Sequence, residues 1–134
     1  MSLVNAPIHD LLIRIKNAYM ARRSTTENVV YSKFKTQVLD LLIKYKFIEG
    51  YTVREDGPKK FIDVQLRVTG NMKEDVPVIN FYSKPSRRWY IGRKEIKPVA
   101  GGRGIGILST NQGLMASHEA AKKQLGGELI AEIY

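Results

Sequence analysis

The stretch from Gly101 to Tyr134 constrains the fold of this chain more than any other. It opens Gly-Gly-Arg-Gly, runs through the apolar Ile105-Gly106-Ile107-Leu108, and reaches a small polar loop, Ser109-Thr110-Asn111-Gln112-Gly113. After Leu114-Met115-Ala116 comes a short helix signal, Ser117 to Leu125, then Gly126-Gly127-Glu128 and a closing strand, Leu129 to Tyr134. Apolar runs too short for helices, set around one brief helix, call for a sheet whose edge carries the polar loop. That loop offers neutral donors and acceptors with little bulk. It suits the edges and sugars of a nucleic acid, and it holds no evident nucleophile–base pair.

Charge supports that direction. The chain carries 22 Lys and Arg against 13 Asp and Glu, a net +9 that favours polyanionic partners. Between Lys84 and Arg103 stand Lys84, Arg87, Arg88, Arg93, Lys94, Lys97 and Arg103 against the single acid Glu95. This run leads directly into the strand that feeds the Ser-Thr loop. Charge runs are commonly just solvated surface, but Trp89 and Tyr90 sit inside this one, and flat aromatics among cations suit stacking on bases.

The amino-terminal half reads as a small layer of helices on a sheet. Pro7 suits the first turn of a helix, with Asn5 the nearest capping candidate. Ile8, Leu11, Leu12, Ile15, Ala18 and Tyr19 follow at helical spacing, and Asp10 and Arg14 stand one turn apart as an ion pair. Asn28 to Tyr31 reads as an edge strand. Ser32 caps a second helix bearing Phe34, Val38, Leu41, Leu42 and Tyr45 on one face. Phe47 to Val53 and Phe61 to Val68 are strands joined by the turn Asp56-Gly57-Pro58-Lys59. In the second strand Ile62, Val64, Leu66 and Val68 alternate with polar residues, so one face is buried.

The polar segment Gly70-Asn71-Met72-Lys73-Glu74-Asp75 marks the expected boundary. Beyond it, Val78 to Ser83, Trp89 to Ile91 and Gly104 to Ser109 read as strands, with Pro85-Ser86 turning the chain. The expectation is therefore an α+β protein: an α-β-α-β-β domain over residues 1–70, packed against a mostly β domain over 71–134 that carries one short helix. With no cysteine, disulfides and thiolate metal sites are excluded, and a reducing compartment is suited. No apolar run is long enough to span a bilayer and the start lacks a signal-peptide pattern, so a soluble cytoplasmic protein is expected.

Other chemistries fit the residues less well. Gly101, Gly102, Gly104 and Gly106 precede a strand, whereas a phosphate loop sets its glycines before a helix and ends Gly-Lys-Ser/Thr. Tight backbone passage or close approach is the better account of them. Ser109 and Thr110 would need a positioned base to act as nucleophiles, and neither His9 nor His118 is paired with them by sequence. Two histidines without cysteine argue against structural zinc. No cofactor, metal or small-molecule substrate is implied. A general RNA- or DNA-binding regulatory module remains the alternative class, although no helix-turn-helix is apparent.

Several segments together resemble the bacterial-type eighth small-subunit ribosomal protein family. Strand, Ser-Thr-x-x-Gly, short helix, Gly-Gly-Glu and terminal apolar strand are similar to its carboxyl-terminal signature. Ser83-Lys84-Pro85 with Arg88 and Tyr90 resembles its upstream segment. Pro7-Ile8, Ile13-Arg14-Ile15-Lys16-Asn17, Ser32-Lys33 and Phe47-Ile48-Glu49-Gly50 resemble its amino-terminal half. The resemblance implies a non-enzymatic primary binder of small-subunit ribosomal RNA that holds an irregular central-domain helix during subunit assembly beside neighbouring ribosomal proteins. It also implies a second ligand, the messenger RNA of the protein's own operon. Carried over by position, Ser109, Thr110 and Gly113 match the loop motif, with Asn111 and Gln112 in its variable pair. Glu128 matches as an acceptor for base amino or imino groups, set against the alternative of an ordinary carboxylate neutralised by an arginine. Tyr90 and Arg88 match as an RNA-facing aromatic and cation, and Lys84, Lys33 and Lys35 are phosphate-contact candidates.

Overall fold

A computed structural model describes residues 2–70, 76–84 and 86–134, with side chains from Pro7 onward. The expected linker at Asn71–Asp75 and the turn residue Pro85 lie outside the described residues, whereas Asn5, expected as the cap, falls inside the first helix. The chain forms two compact units. One comprises Asp10–Pro77; the other joins Val78–Tyr134 to the start of the first helix, as far as His9. No described helix is long and apolar enough to cross a membrane.

Helix α1 runs Ser2–Met20, so it begins before Pro7 and contains it. The proline forfeits one amide donor near the helix start, where the i−4 ladder has barely begun. From Asp10 onward the helix buries Leu11, Leu12, Ile15, Ala18 and Tyr19, as the spacing requires. Arg14 spends its guanidinium on the carbonyls of Glu27 (2.6 Å) and Asn28 (3.5 Å), tying the helix to β1.

β1 (Thr25–Val30) begins earlier than expected and does lie at a sheet edge, in the order β1-β3-β2. It carries an extra residue between Thr26 and Val29, where Asn28 takes φ +61°. Helix α2 (Lys33–Lys44) is capped by the Ser32 hydroxyl, which accepts from the Lys35 amide at 3.2 Å. Val38, Leu41 and Leu42 are buried, but Phe34, in the first turn, is 45% exposed and leaves the expected face. β2 (Gly50–Asp56) and β3 (Lys59–Gln65) form an antiparallel hairpin closed by Gly57-Pro58. Ile62, Val64 and Leu66 are buried; Val68 is exposed because the strand ends at Gln65 and the alternation no longer governs it. The buried Tyr19 hydroxyl donates to the Phe47 carbonyl and accepts from the Arg67 amide, joining the end of α1 to the segments that enter and leave the hairpin.

On the solvent side of this sheet Asp63 accepts from the Arg54 guanidinium at 3.0 Å and from the Asn28 amide at 3.1 Å. The arginine first, then the amide, holds its carboxyl below the usual carboxylate range.

In the second unit β4 (Ile79–Phe81), β5 (Tyr90–Ile91), β6 (Ile105–Thr110), β7 (Gly113–Ala116) and β8 (Gly127–Ile133) make one antiparallel sheet. β8 is its spine, with β6 along one edge and both β4 and β5 along the other. Helix α3 (Ser117–Lys122) contributes Ala120 to a core with Leu108, Met115 and Leu129. Two 3₁₀ turns, Arg93–Glu95 and Ala100–Gly102, carry the basic connection. β6 passes so close to the start of α3 that Gly106 donates its amide to the buried Ser117 hydroxyl at 3.0 Å. A Cβ on Gly106 would meet that oxygen at 2.9 Å. The glycine run thus serves close packing within the chain at this position.

Two outcomes follow for the Asp10–Pro77 unit. Ser32→Ala removes the α2 cap and lowers unfolding free energy by about 1 kcal/mol, read by urea or thermal denaturation. Because the Asp63 pKa is depressed on folding, its contribution is present above the ordinary carboxylate range and is lost as pH falls through the lowered value. Asp63→Asn therefore flattens the acid limb of the stability profile and leaves the alkaline limb unchanged. The effect is small, because the pair is solvent-exposed.

Candidate nucleic-acid interface

The sequence places the Ser-Thr motif in a loop; the structure places most of it in a hairpin. Ser109 and Thr110 end β6, Gly113 begins β7, and only Asn111-Gln112 turn the chain, exposed at the tip. β7 was not anticipated, because Leu114-Met115-Ala116 is uniformly apolar and hides the alternation of a strand. The signal for it lies in the short polar stretch Ser109–Gly113 with its glycine between two apolar runs, a hairpin pattern. Gly113 pairs with Thr110 at φ +109°. The Thr110 hydroxyl donates to the Gly113 carbonyl at 2.9 Å and accepts from the Gln112 amide at 3.1 Å. Its only proton is committed to the turn, so one lone pair remains for a ligand.

Register then assembles the rest. Tyr90 of β5 lies opposite Glu128 of β8, Glu128 opposite Ser109 of β6, and Ser109 opposite Leu114 of β7. Directly opposed residues share a face, so these side chains form a single row across four strands. Neighbours are about 5 Å apart across the strands.

Simple alternation would not produce this row. Ile107 and Ser109, two apart on β6, share a face, yet their partners Ala131 and Glu128 are three apart on β8. The odd residue is Ile130, a β-bulge opposite the Ile107–Leu108 step. Without it, Glu128 would turn to the other side.

Glu128 is buried, at 7% exposure, and its carboxylate pairs with the Arg88 guanidinium at 3.6 Å. The carboxylate is thus paired with an arginine in this fold, and it keeps further acceptor lone pairs beside that contact. Tyr90 beside it is 64% exposed and Trp89 43% exposed, so both present ring area to solvent. Lys84, Arg87, Lys94 and Lys97 are exposed, and Arg93 bonds the Gln124 side chain at 3.2 Å. Among the described residues no three His, Asp or Glu side chains converge as a metal site.

Lys33 and Lys35 belong to the other unit, at the start of α2. Lys33 is exposed. Lys35 is half-buried, donates to the Val30 carbonyl at 2.8 Å, and has its pKa lowered by burial and by Arg14. It is the more committed of the two cations.

Gly126 and Gly127 let the row close. A Cβ on Gly127 would stand 2.2 Å from the Ser109 carbonyl oxygen, and one on Gly126 would stand 2.6 Å from that of Ile91. Gly127→Ala should therefore part β8 from β6 beneath the row. The expected cost is about 1–3 kcal/mol of stability, with faster amide exchange at Ser109 and Glu128 as the local readout.

The arrangement combines an aromatic platform, a held guanidinium, a hydroxyl, two turn amides and a cationic surround. It can stack on a base, bond ribose and base edges, and neutralise phosphate. Comparison with known proteins gives the family. The sequence pattern of the family described as ribosomal protein S8 matches residues 6–134. The small ribosomal subunit protein uS8 of Dictyoglomus thermophilum is 44% identical over 133 residues, covering 98% of each chain. Those of Chloroflexus aggregans and Rubrobacter xylanophilus are 41% and 37% identical, again over 98% of each chain.

Proposed function

The chain belongs to the ribosomal protein S8 family, and from that premise we propose that the Tyr90–Glu128–Ser109 row and its cationic surround are where it holds RNA. As a member it is a structural constituent of the small subunit of the cytoplasmic ribosome, and it binds the RNA of that subunit beside neighbouring ribosomal proteins. The family is one of structural proteins, not of enzymes. That membership displaces the alternative of a general regulatory module.

The observation that carries the site is the register that brings Tyr90, Glu128 and Ser109 onto one face. Tyr90 stacks on an unpaired base. Ser109, Asn111 and Gln112 bond ribose hydroxyls and base edges, and Gly113 lets the backbone approach. Arg88, steadied by buried Glu128, offers a guanidinium whose direction is already set, so little entropy is lost on binding. Lys84, Arg87 and the cations of residues 93–97 add phosphate contacts without sequence preference, and Lys33 is a separate phosphate-contact candidate on its own unit.

Such a row suits RNA that is bulged or irregular, because the major groove of a regular RNA helix is too deep and narrow for side chains. We assign its target to an irregular helical segment of the central domain, held during assembly of the subunit. A segment of the protein's own operon messenger that imitates this shape would occupy the same row, and so repress translation. The two RNAs should then displace each other from the protein.

Binding to a central-domain fragment at two salt concentrations tests the site. Tyr90→Ala and Ser109→Ala should each lose about 1–3 kcal/mol of specific affinity with the salt slope unchanged. Lys84→Ala/Arg87→Ala should instead flatten the slope. Equal affinity of the wild-type protein for the fragment and for unrelated duplex would sink the reading.

A further inference from the structure

β4 and β5 are not independent strands. Phe81 pairs with Ala131, the amides of Tyr82 and Ser83 both donate to the Ile130 carbonyl (3.0 and 3.3 Å), and the Trp89 carbonyl accepts from the Leu129 amide at 2.9 Å. Tyr90 then pairs with Glu128. Along β8 the partners run without a gap, while in the edge chain they skip from Ser83 to Trp89. Lys84 and Ser86 to Arg88 therefore leave the ladder of a single interrupted edge strand, opposite the bulged Ile130.

Two contacts shut the base and neck of this excursion. The Ser83 hydroxyl, on a fully buried residue, accepts from the Trp89 amide at 2.7 Å. Beyond it Lys84 and Arg87 exchange backbone bonds of 2.8 and 3.0 Å. The Tyr82 and Trp89 rings pack edge to face across the base, 5.8 Å apart, with the Tyr82 hydroxyl anchored on Glu132 at 2.7 Å. Trp89 has already given its carbonyl to β8. Its amide donates to the Ser83 oxygen, which pins it.

We propose that Ser83 is a positioning residue for RNA recognition. By closing the excursion it sets the point at which the edge chain rejoins β8. That point decides whether Tyr90 falls opposite Glu128 and whether Arg88, the last residue of the excursion, reaches the Glu128 carboxylate. A slip of one residue on rejoining would send Tyr90 to the opposite face and withdraw Arg88. Ser83 touches no RNA; it acts through Tyr90 and Arg88. This inference rests on the row being the RNA site.

The test compares affinity for the central-domain fragment with affinity for unrelated duplex, across salt, for Ser83→Ala, Ser83→Thr, Tyr90→Ala and the Ser83→Ala/Tyr90→Ala pair. Ser83→Ala should lower specific affinity about tenfold, the weight of one well-made hydrogen bond, and leave duplex binding and the salt slope unchanged. Ser83→Thr, which keeps the acceptor oxygen, should restore most of the loss. With Tyr90 already removed, Ser83→Ala should cost distinctly less than it does alone, since the part of its effect carried by Tyr90 is gone and only that carried by Arg88 remains. Should Ser83→Ala unfold at the assay temperature, Ser83→Cys, similar in shape with a weaker acceptor, takes its place.

Full additivity with Tyr90→Ala, an equal loss on both RNAs, or unchanged specificity would overturn the positioning role. If Tyr90→Ala itself binds normally, the row is not the site and the role of Ser83 falls with it. If Tyr90→Ala binds poorly while Ser83→Ala binds normally, only the present inference is wrong.

Discussion

The backbone ladder of β8 is what the second unit depends on. Each side of this strand satisfies a different set of partners, β6 on one and the interrupted β4–β5 edge on the other. A strand in the middle of a sheet can neither shift nor turn over without breaking bonds on both sides, and a buried amide or carbonyl left unpaired costs about 1–3 kcal/mol. Rigidity of that kind lets a carboxylate, an aromatic ring and a hydroxyl from distant parts of the sequence keep a fixed spacing.

The same ladder contains the irregularity that gives the row its composition. Bulged Ile130 reverses the facing of the residues before it, so Glu128 stands with Ser109 and Tyr90. Burying Glu128 would be costly for a lone anion, and the guanidinium of Arg88 offsets the cost. The pair consequently holds the guanidinium in place before any partner binds. Lys84, Arg87, Lys94 and Lys97 of the surrounding run are exposed, which suits the proposed phosphate contacts that carry no sequence information.

Much of the layer formed by the first half was legible from periodicity. The core stripe of α1, the Ser32 cap and the alternation Ile62, Val64, Leu66 are local patterns that burial follows closely. Deviations came where local rules end. Pro7 lies inside a helix that starts earlier, Phe34 faces solvent in a first turn, and Val68 lies past the end of its strand. In the second half, β7 was hidden by three successive apolar residues, and the polar loop proved to be a hairpin tip whose threonine secures its own turn.

By itself the sequence determined most of the element types, though not β7, the basic charge and its concentration before the Ser-Thr motif, and, through its combined motifs, the family. Those properties reside in short windows: spacing, capping and charge act between residues a few positions apart. Only the tertiary structure decided that Glu128 is buried against Arg88, that Tyr90 and Ser109 flank it on one face, and that Ser83 closes the edge strand. Each depends on register between segments far apart in the chain. A single bulged residue changes which side chains share a face, and the one-dimensional pattern around Ile130 contains nothing to mark it.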